Sequence, residues 1–260
     1  MCLITFAYRA HPRYNLILVG NRDEFFARPT RAAHWWEDEP SIFAGRDLQQ
    51  GGTWLGLSRD GGFAAVTNYR DGRLSQEGKS SRGHVPVQFF RSEQTSHDFL
   101  QALLPVAGDI GGLNLLCGDQ HGLGYLSNTG DGLRMLEPGI YSLSNAWLDT
   151  PWPKTHMASE RLRQAIAAPF LEPRTLMGAV HDRRQAEDKD LPDTGISPEW
   201  EQALSSQFIR LDNYGTRATT VVLQDYAGQT QFVEQSFDEE GIAGLVTERM
   251  QLPPIGAAAG

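Results

Sequence analysis

The sequence has few cysteines, no long apolar run and no cluster of basic residues. Cys2 and Cys117 are its two cysteines, which excludes a disulfide framework and favours a reducing, cytoplasmic setting. No apolar run reaches the roughly 20 residues of a membrane span, and Arg9, Arg13 and Arg22 interrupt the first segment. We therefore expect no membrane span and no signal peptide. A net charge of −9 without a basic stripe argues against nucleic acid as a partner.

The common cofactor motifs are also absent. The chain has no G-x-G-x-x-G, P-loop, H-E-x-x-H or G-x-S-x-G pattern, and its seven histidines show no metal-ligand spacing. We expect no metal and no cofactor, and a small molecule as the ligand. The oligomeric state stays open.

The length and hydrophobic content are those of a single large domain. The chain has 260 residues, of which 40% are hydrophobic, enough to bury a sizeable core without a second domain. We predict one domain over residues 1–250 and a flexible tail over residues 251–260.

Strands and helices are predicted in separate groups. Apolar runs at 2–8 and 15–20 predict a first hairpin, and an Asp-Gly turn between 51–58 and 63–68 predicts a second. Further strands are predicted over 113–117, 123–126, 140–143, 216–224 and 230–237. Residues 21–30 are expected to leave the sheet as a loop, and residues 73–83 to form a mobile polar loop. Helical patterns follow in two groups, near 84–104 and near 154–181. This order favours mostly antiparallel sheets with helices on their outer faces.

The second residue is the strongest candidate for chemistry. Removal of Met1 would leave Cys2 with both a thiol and a free α-amine. An α-amine has an ordinary pKa near 8 and can take the thiol proton, which would activate the cysteine as a nucleophile. The alternative is that Cys2 is a small buried hydrophobic residue at the start of a strand.

Polar side chains at the ends of the other strands are further candidates. Arg22 and Asp23 follow the strand expected to pair with the one that starts at Cys2, and an arginine there would lower the thiol pKa. Asn68 and Asn145 each end a strand, and an asparagine amide can donate to an oxyanion. Arg217 enters an apolar strand and needs a partner or a cleft. An ordinary ion cluster and solvated turn residues are the alternatives.

Several motifs in order give the chain a family resemblance. It resembles the NRDE family, whose eukaryotic members are called transport and Golgi organisation protein 2. The matching motifs are Met1-Cys2, Asn21-Arg22-Asp23-Glu24, Gly51-Gly52-Thr53-Trp54, Thr67-Asn68-Tyr69-Arg70 and Gly215-Thr216-Arg217. They cover nearly the whole chain.

The same positions resemble, more distantly, the cysteine N-terminal-nucleophile hydrolases related to choloylglycine hydrolase and penicillin V acylase. That resemblance implies an α+β fold, the four-layer αββα sandwich with mostly antiparallel sheets, and cleavage of a non-peptide amide. It implies Cys2 as nucleophile and Asn68 with Asn145 as oxyanion donors. In those amidases two residues separate the arginine from the aspartate, whereas Arg22 and Asp23 are adjacent and point to opposite faces of a regular strand. Asn21 and Glu24 remain alternatives for their roles.

Two functions are compatible with these residues. The first is an N-terminal-cysteine hydrolase acting on a non-peptide amide or related acyl substrate through a thioester. The second is a non-catalytic carrier of an amphipathic ligand such as acyl-CoA, lipid or haem, the compounds with which relatives in the NRDE family are associated. The expected catalytic residues are Cys2, Arg22, Asp23, Asn68, Asn145 and Arg217. The expected substrate-binding residues are Asn21, Glu24, Trp54, Tyr69 and Trp147, and Trp35 and Trp36 are further apolar walls for a carrier.

Overall fold

The computed structural model describes residues 2–75 and 77–257 of the chain. The strands are β1 Cys2–Tyr8, β2 Tyr14–Phe25, β3 Thr30–Trp35, β4 Ile42–Asp47, β5 Leu55–Ser58, β6 Phe63–Asn68, β7 Leu113–Asp119, β8 Gly122–Ser127, β9 Gly132–Met135, β10 Gly139–Leu143, β11 Tyr214–Asp225, β12 Gln229–Phe237 and β13 Ile242–Gln251. The α-helices are α1 His84–Arg91, α2 Ser96–Leu103, α3 Pro153–Ala165, α4 Pro173–Met177 and α5 Pro198–Ala203, and three short 3-10 helices accompany them.

The strands form two antiparallel sheets. The first has the order β10-β1-β2-β11-β12-β13, and the second follows the chain from β3 to β9. β1 and β2 are adjacent in the middle of the first sheet, with Ile4 opposite Gly20. The predicted hairpin, the α+β class and the mostly antiparallel sheets are confirmed.

Three apolar clusters show that the sheets lie between two layers of helices. One cluster joins the facing sides of the sheets and includes Phe6, Leu18 and Phe63. A second packs α1 and α2 on the outer face of the second sheet, and a third packs α3 and α4 on the outer face of the first. This is the four-layer αββα arrangement. Because the central sheets are covered on both faces, β1 is buried at all seven positions and shows no alternating pattern.

The structure corrects the end of the second strand. Residues 21–25 were expected in a loop, but β2 continues to Phe25, which pairs with Tyr214 of β11. The polar sequence Asn-Arg-Asp-Glu stays extended because β11 supplies hydrogen bonds along its whole length. Four strands, β3, β4, β9 and β13, were not predicted. β13 is an edge strand with mostly exposed side chains, so it lacks the apolar alternation by which strands are recognised.

Part of the segment expected to be a flexible tail packs into the protein. Leu252 and Ile255 are almost completely buried between the sheets. Asn15 Nδ2 donates to the carbonyl of Ile255 at 2.6 Å, and the amide of Gly256 donates to the carbonyl of Asp119 at 2.7 Å. Residues 258–260 of the expected tail lie outside the described residues. In the part of the chain that the structure describes, no helix is long and apolar enough to cross a membrane.

Candidate active site

A polar cavity of about 130 Å³ lies where β1 begins, between the two sheets. Cys2 lines it together with the end of β2 and the end of β6. The other lining residues are Arg22, Asp23, Glu24, Arg28, Asp47, Thr53, Trp54, Val66, Thr67, Asn68, Ser81, Arg82 and Gly83. Three arginines and three carboxylates therefore surround one thiol.

Cys2 is held in place by its backbone. It pairs with Arg22 of β2, and Ser144 Oγ donates to the Cys2 carbonyl at 2.9 Å. The side chain is 6% exposed, and burial raises the pKa of the thiol to about 11. We expected a neighbouring arginine to lower that pKa. Arg22 does act in that direction, but burial outweighs it, so the thiol needs a proton acceptor to react at neutral pH.

Arg22 and Asp23 point to opposite faces of β2, yet both border the cavity. Arg22 Nη1 donates to Thr30 Oγ1 at 3.4 Å, toward the space between the sheets. Asp23 accepts from Thr216 Oγ1 at 2.7 Å on β11, and burial raises the pKa of its carboxyl group. The last β1–β2 pair in the described residues joins Cys2 to Arg22, so Asp23 lies just beyond it. Both Arg22 and Asp23 therefore reach the cavity although they are adjacent in sequence.

The two alternatives from the same tetrapeptide have different positions. Asn21 is fully buried and its Nδ2 donates to the carbonyls of Val180 and Gln207, at 2.7 and 2.9 Å. It therefore faces the outer helices and does not line the cavity. Glu24 does line it, 3.9 Å from Arg22 and 3.8 Å from Arg28.

Asn68 and Asn145 meet, but only Asn68 lines the cavity. Asn145 Nδ2 donates to Asn68 Oδ1 at 2.9 Å and to the Asn68 carbonyl at 3.1 Å, which engages both of its amide hydrogens. Because Oδ1 is held in this way, the amide nitrogen of Asn68 is the end presented to the cavity. In this arrangement Asn145 orients Asn68, whereas we expected both to act as direct donors.

Arg217 lies in a neighbouring cavity instead. It is the extra residue of a β-bulge, between the pairs Thr216–Asp23 and Ala218–Arg22. Its Nη1 donates to three carbonyls of the β2–β3 loop at 2.9–3.1 Å, those of Phe25, Phe26 and Arg28. The cavity that Arg217 lines measures about 380 Å³ and shares Arg22, Asp47, Thr53 and Trp54 with the Cys2 cavity.

Trp54 alone of the expected aromatic residues borders the Cys2 cavity. Tyr69 and Trp147 pack against each other with tilted rings, their centroids 5.8 Å apart and the ring planes at 35°, and Trp147 is 42% exposed. They form a surface pair that lines neither cavity. Trp36 is buried against α1 and α2, and Trp35 packs beside Phe43 at the edge of the core between the sheets.

Arg82 was missed because it belongs to the polar segment 73–83. Its Nε donates to the carbonyl of Gly112 at 2.7 Å, and its guanidinium interacts electrostatically with Cys2 and Glu24. The amide of Thr53 donates to the carbonyl of Gly83 at 2.9 Å, and a Cβ on Gly52 would clash with that carbonyl. The Gly-Gly-Thr-Trp motif is the signal that was available, since only glycine admits this close approach.

A buried lysine lies behind the site, on the side of the outer helices. Lys154 is 3% exposed at the start of α3, and its Nζ donates to the carbonyl of Leu204 at 3.0 Å. Burial and the nearby Arg70 lower the pKa of Lys154 to about 8, whereas Asp23 and Cys2 oppose that shift. Arg70 is itself buried against Glu201 at 2.7 Å. Lys154, Arg70 and Glu201 therefore form a second group of buried charges, which lies behind Cys2 on the side of the outer helices.

Replacing Lys154 with methionine is expected to flatten the pH dependence of folding stability above pH 8. The folded state releases this proton near pH 8 and the unfolded state near 10.5. Between these values the unfolded state binds more protons, so stability rises with pH, by ~3 kcal/mol in total. Urea unfolding at several pH values will measure this slope. The exposed Lys189→Met variant is the control, and an unchanged slope in Lys154→Met would contradict the prediction.

No group of three or more histidine, cysteine, aspartate or glutamate side chains in residues 2–75 and 77–257 has an arrangement suited to a metal ion.

Comparisons with known proteins give a family match over nearly the whole chain. The family model described as "Transport and Golgi organisation 2" matches residues 1–239. The chain is 34% identical to the Transport and Golgi organization protein 2 homolog of Bos taurus over 257 residues, 91% of this chain and 93% of the relative. Its identity to the Homo sapiens homolog is 32% over 264 residues, 94% and 95% of the two chains.

Two solved structures share a broad similarity of fold. An N-acylethanolamine-hydrolyzing acid amidase ortholog from Caenorhabditis elegans has a TM-score of 0.46 and 9% identity, covering 85% of this chain and 92% of its own. A conjugated bile acid hydrolase from Clostridium perfringens has a TM-score of 0.42 and 10% identity, covering 97% and 98%.

Proposed function

The chain belongs to the Transport and Golgi organisation 2 family, and for this member we propose an N-terminal-cysteine hydrolase of a non-peptide amide or related acyl substrate. The observation that carries the proposal is the placement of Cys2. Its thiol lines a cavity at the start of a central strand, together with three arginines and an asparagine. Cys2 belongs to the core cluster between the sheets, but its cavity also brings three arginines and three carboxylates to the thiol, which favours a chemical role over packing alone.

Activation of the thiol begins with removal of Met1, a residue that lies outside the described residues. Cysteine is small, so we expect an aminopeptidase to remove the methionine before it. The amine of Cys2 then takes the thiol proton. This step supplies the base that the raised thiol pKa requires.

The proposed reaction has two halves. The Cys2 sulfur attacks the amide carbonyl carbon, and the carbonyl oxygen becomes an oxyanion that the Asn68 amide and the Arg82 guanidinium stabilise. The ammonium group of Cys2 returns its proton to the leaving nitrogen as the C–N bond breaks, which leaves a thioester. Water, deprotonated by the same amine, then attacks the thioester and releases the acid and the thiol.

The surrounding residues have positioning roles in this proposal. Arg22 neutralises the carboxylates beside the thiol, and Asp23 provides a negative charge near the amine. Asn145 orients Asn68 through the two hydrogen bonds described above. Arg217 fixes the β2–β3 loop that follows the site. A reducing compartment such as the cytoplasm would keep Cys2 available as a thiol.

The pH profile of alkylation tests the role of the amine. In protein that begins at Cys2, the rate of iodoacetamide labelling at Cys2 is expected to level off above about pH 8, the ordinary pKa of an α-amine. In protein that retains Met1, the rate should rise about tenfold per pH unit toward pH 11, since only the thiolate reacts. Mass spectrometry of digests at each pH measures both rates.

Cys117 is the internal control for this experiment. It is fully buried between the second sheet and its helices, and burial raises the pKa of its thiol well above the ordinary value. It should label slowly in both forms. If Cys2 of the mature protein labels no faster than Cys117, the nucleophile role fails.

A groove on the outer face of the first sheet favours a second candidate function, a carrier of an amphipathic ligand. It encloses about 760 Å³ between α4 and the strands β12 and β13, within the size range of small-molecule sites. Its apolar lining includes Met177, Phe208, Val233, Phe237, Ile242 and Leu245, and its basic residues are Arg174, Arg183 and Arg210. A carrier acting through this groove would bind its ligand equally well after Cys2→Ser.

A further inference from the structure

The larger cavity, which Arg217 lines, adjoins the Cys2 cavity in which the reaction is proposed. Four residues line both the 380 Å³ cavity and the Cys2 cavity, so the two cavities are neighbours. These residues are Arg22, Asp47, Thr53 and Trp54. The Cys2 cavity alone, at about 130 Å³, holds little more than a scissile amide. A longer substrate extending past Arg22 would enter the larger cavity.

Arg217 brings to this cavity a positive charge that has no ion-pair partner among the described residues. Its Nη1 and Nε hydrogen bonds all go to neutral backbone carbonyls, the Nε bond reaching Phe237 at 3.3 Å. No carboxylate of the described residues lies within ion-pair distance of it, and its Nη2 has no hydrogen-bond partner among them. Arg22 lines the same cavity, and its own charge lowers the pKa of Arg217, next after burial.

The carboxylates that line the cavity already have partners. Asp47 forms a 2.6 Å ion pair with Arg28. Glu234 accepts from the Ala33 amide at 2.7 Å and from Thr220 Oγ1 at 3.3 Å, and burial raises the pKa of its carboxyl group. Asp238 accepts from two backbone amides at 2.9 Å.

The two other arginines of this cavity have ion-pair partners, in contrast to Arg217. Arg46 makes a bidentate contact with Asp38, and Arg31 pairs with Glu37. Arg217, and Arg22 with its single long contact to Glu24, are therefore the guanidinium groups with unused capacity for an anion.

We propose that the cavity lined by Arg22 and Arg217 binds a carboxylate on the substrate, remote from the amide that Cys2 attacks. The substrate class is thus an amide with a second, anionic end. This inference rests on the proposed function, because the scissile bond is placed at Cys2. Guanidinium groups suit a carboxylate because their planar donors match its two oxygens.

Matched anilides test the charge preference. Valeryl-4-nitroanilide is neutral, glutaryl-4-nitroanilide carries a carboxylate on the acyl side, and valeryl-3-carboxy-4-nitroanilide carries it on the amine side. We expect mature protein to hydrolyse one of the two anionic probes at least about tenfold more efficiently than the neutral probe, as kcat/KM. Equal kcat/KM for all three would overturn the inference and leave the proposed hydrolase standing.

A substitution at Gly244 tests where the anion binds without altering Arg217. Gly244 lines the cavity on β13, and a Cβ built there meets no heavy atom within 4 Å. Gly244→Asp places a carboxylate opposite the arginines, and Gly244→Asn is its neutral match. The ratio of kcat/KM for the preferred anionic probe to that for the neutral probe should fall about tenfold in Gly244→Asp relative to Gly244→Asn. An equal ratio in both variants would place the anion elsewhere and overturn the assignment.

Binding to an inactive variant tests the anion site independently of the proposed hydrolase activity. Calorimetric titration of Cys2→Ala with the same probes measures preference without turnover. If the wild-type protein hydrolyses none of them but Cys2→Ala binds an anionic probe more tightly, the hydrolase proposal fails and the anion site stands. If binding shows no preference either, the anion site is rejected.

Discussion

Replacing Cys2 with serine is expected to lower amide hydrolysis by about 10⁴-fold or more in kcat/KM, without loss of the folded state. A serine hydroxyl is far less acidic than a thiol, so the amine of residue 2 cannot generate a comparable nucleophile. Serine is close in size to cysteine, and the hydrogen bond from Ser144 Oγ goes to the backbone carbonyl of residue 2, so it does not depend on that residue's side chain. Release of nitroaniline from the anilide probes measures the loss.

Cys117→Ala is the matched control for this prediction. Cys117 is the second cysteine and lies in the core between the second sheet and α1 and α2, remote from the Cys2 cavity. Its removal should cost some stability, through a small cavity, but should leave kcat/KM within a few-fold of the wild-type value. If Cys2→Ser hydrolyses the probes as well as Cys117→Ala does, Cys2 is not the nucleophile.

Extending the chain before Cys2 is expected to cause the second large loss of activity. A peptide fused ahead of Cys2 converts its amine into a peptide nitrogen, which cannot act as a base. The thiol then keeps its burial-raised pKa of about 11, and only about one molecule in 10⁴ carries a thiolate at pH 7. We expect turnover to fall about 10³-fold or more, with a melting temperature close to that of the mature protein.

Removing the extension, so that Cys2 is again the first residue, is the control for that experiment. A fusion with a protease site directly before Cys2 allows the extension to be removed in the folded protein. Cleavage that leaves Cys2 as the first residue should return the full kcat/KM, whereas cleavage that leaves one extra glycine should not. Equal activity before and after cleavage would show that the amine has no part in the reaction.

The central hairpin was predictable from the sequence because its residues are unambiguous. Ile4, Phe6, Ile17 and Val19 lie in short apolar runs whose length and content of β-branched and aromatic residues favour a strand covered on both faces. The Asp60-Gly61 pair was an equally clear turn signal in the sequence. In the structure Gly61 has a φ of 89°, the positive value that a turn of this type requires.

The residues around the thiol were harder to predict from the sequence, because their positions depend on contacts between residues that are distant in the chain. Arg82 reaches the cavity through a close approach of two glycines, Gly52 and Gly83, and the Gly-Gly-Thr-Trp motif indicates only one side of that contact. The position of Arg217 depends on a bulge, which rotates one residue out of the alternation of β11. Tyr69 and Trp147 lie close to Asn68 and Asn145 in sequence, yet their rings pack against each other at the surface and line neither cavity.

The position of β2 in the first sheet has a consequence for synthesis on the ribosome. β2 emerges early and pairs at once with β1, but its other neighbour is β11, so Gly20 must wait for Thr220, 200 residues later. Until then, one edge of a twelve-residue strand that contains the apolar run Leu16–Val19 is unpaired in the nascent chain. Such an edge invites pairing with other chains, and closing so long a loop is slow. The same topology that gathers the site from both ends of the chain thus leaves a strand edge of the growing polypeptide exposed until translation is nearly complete.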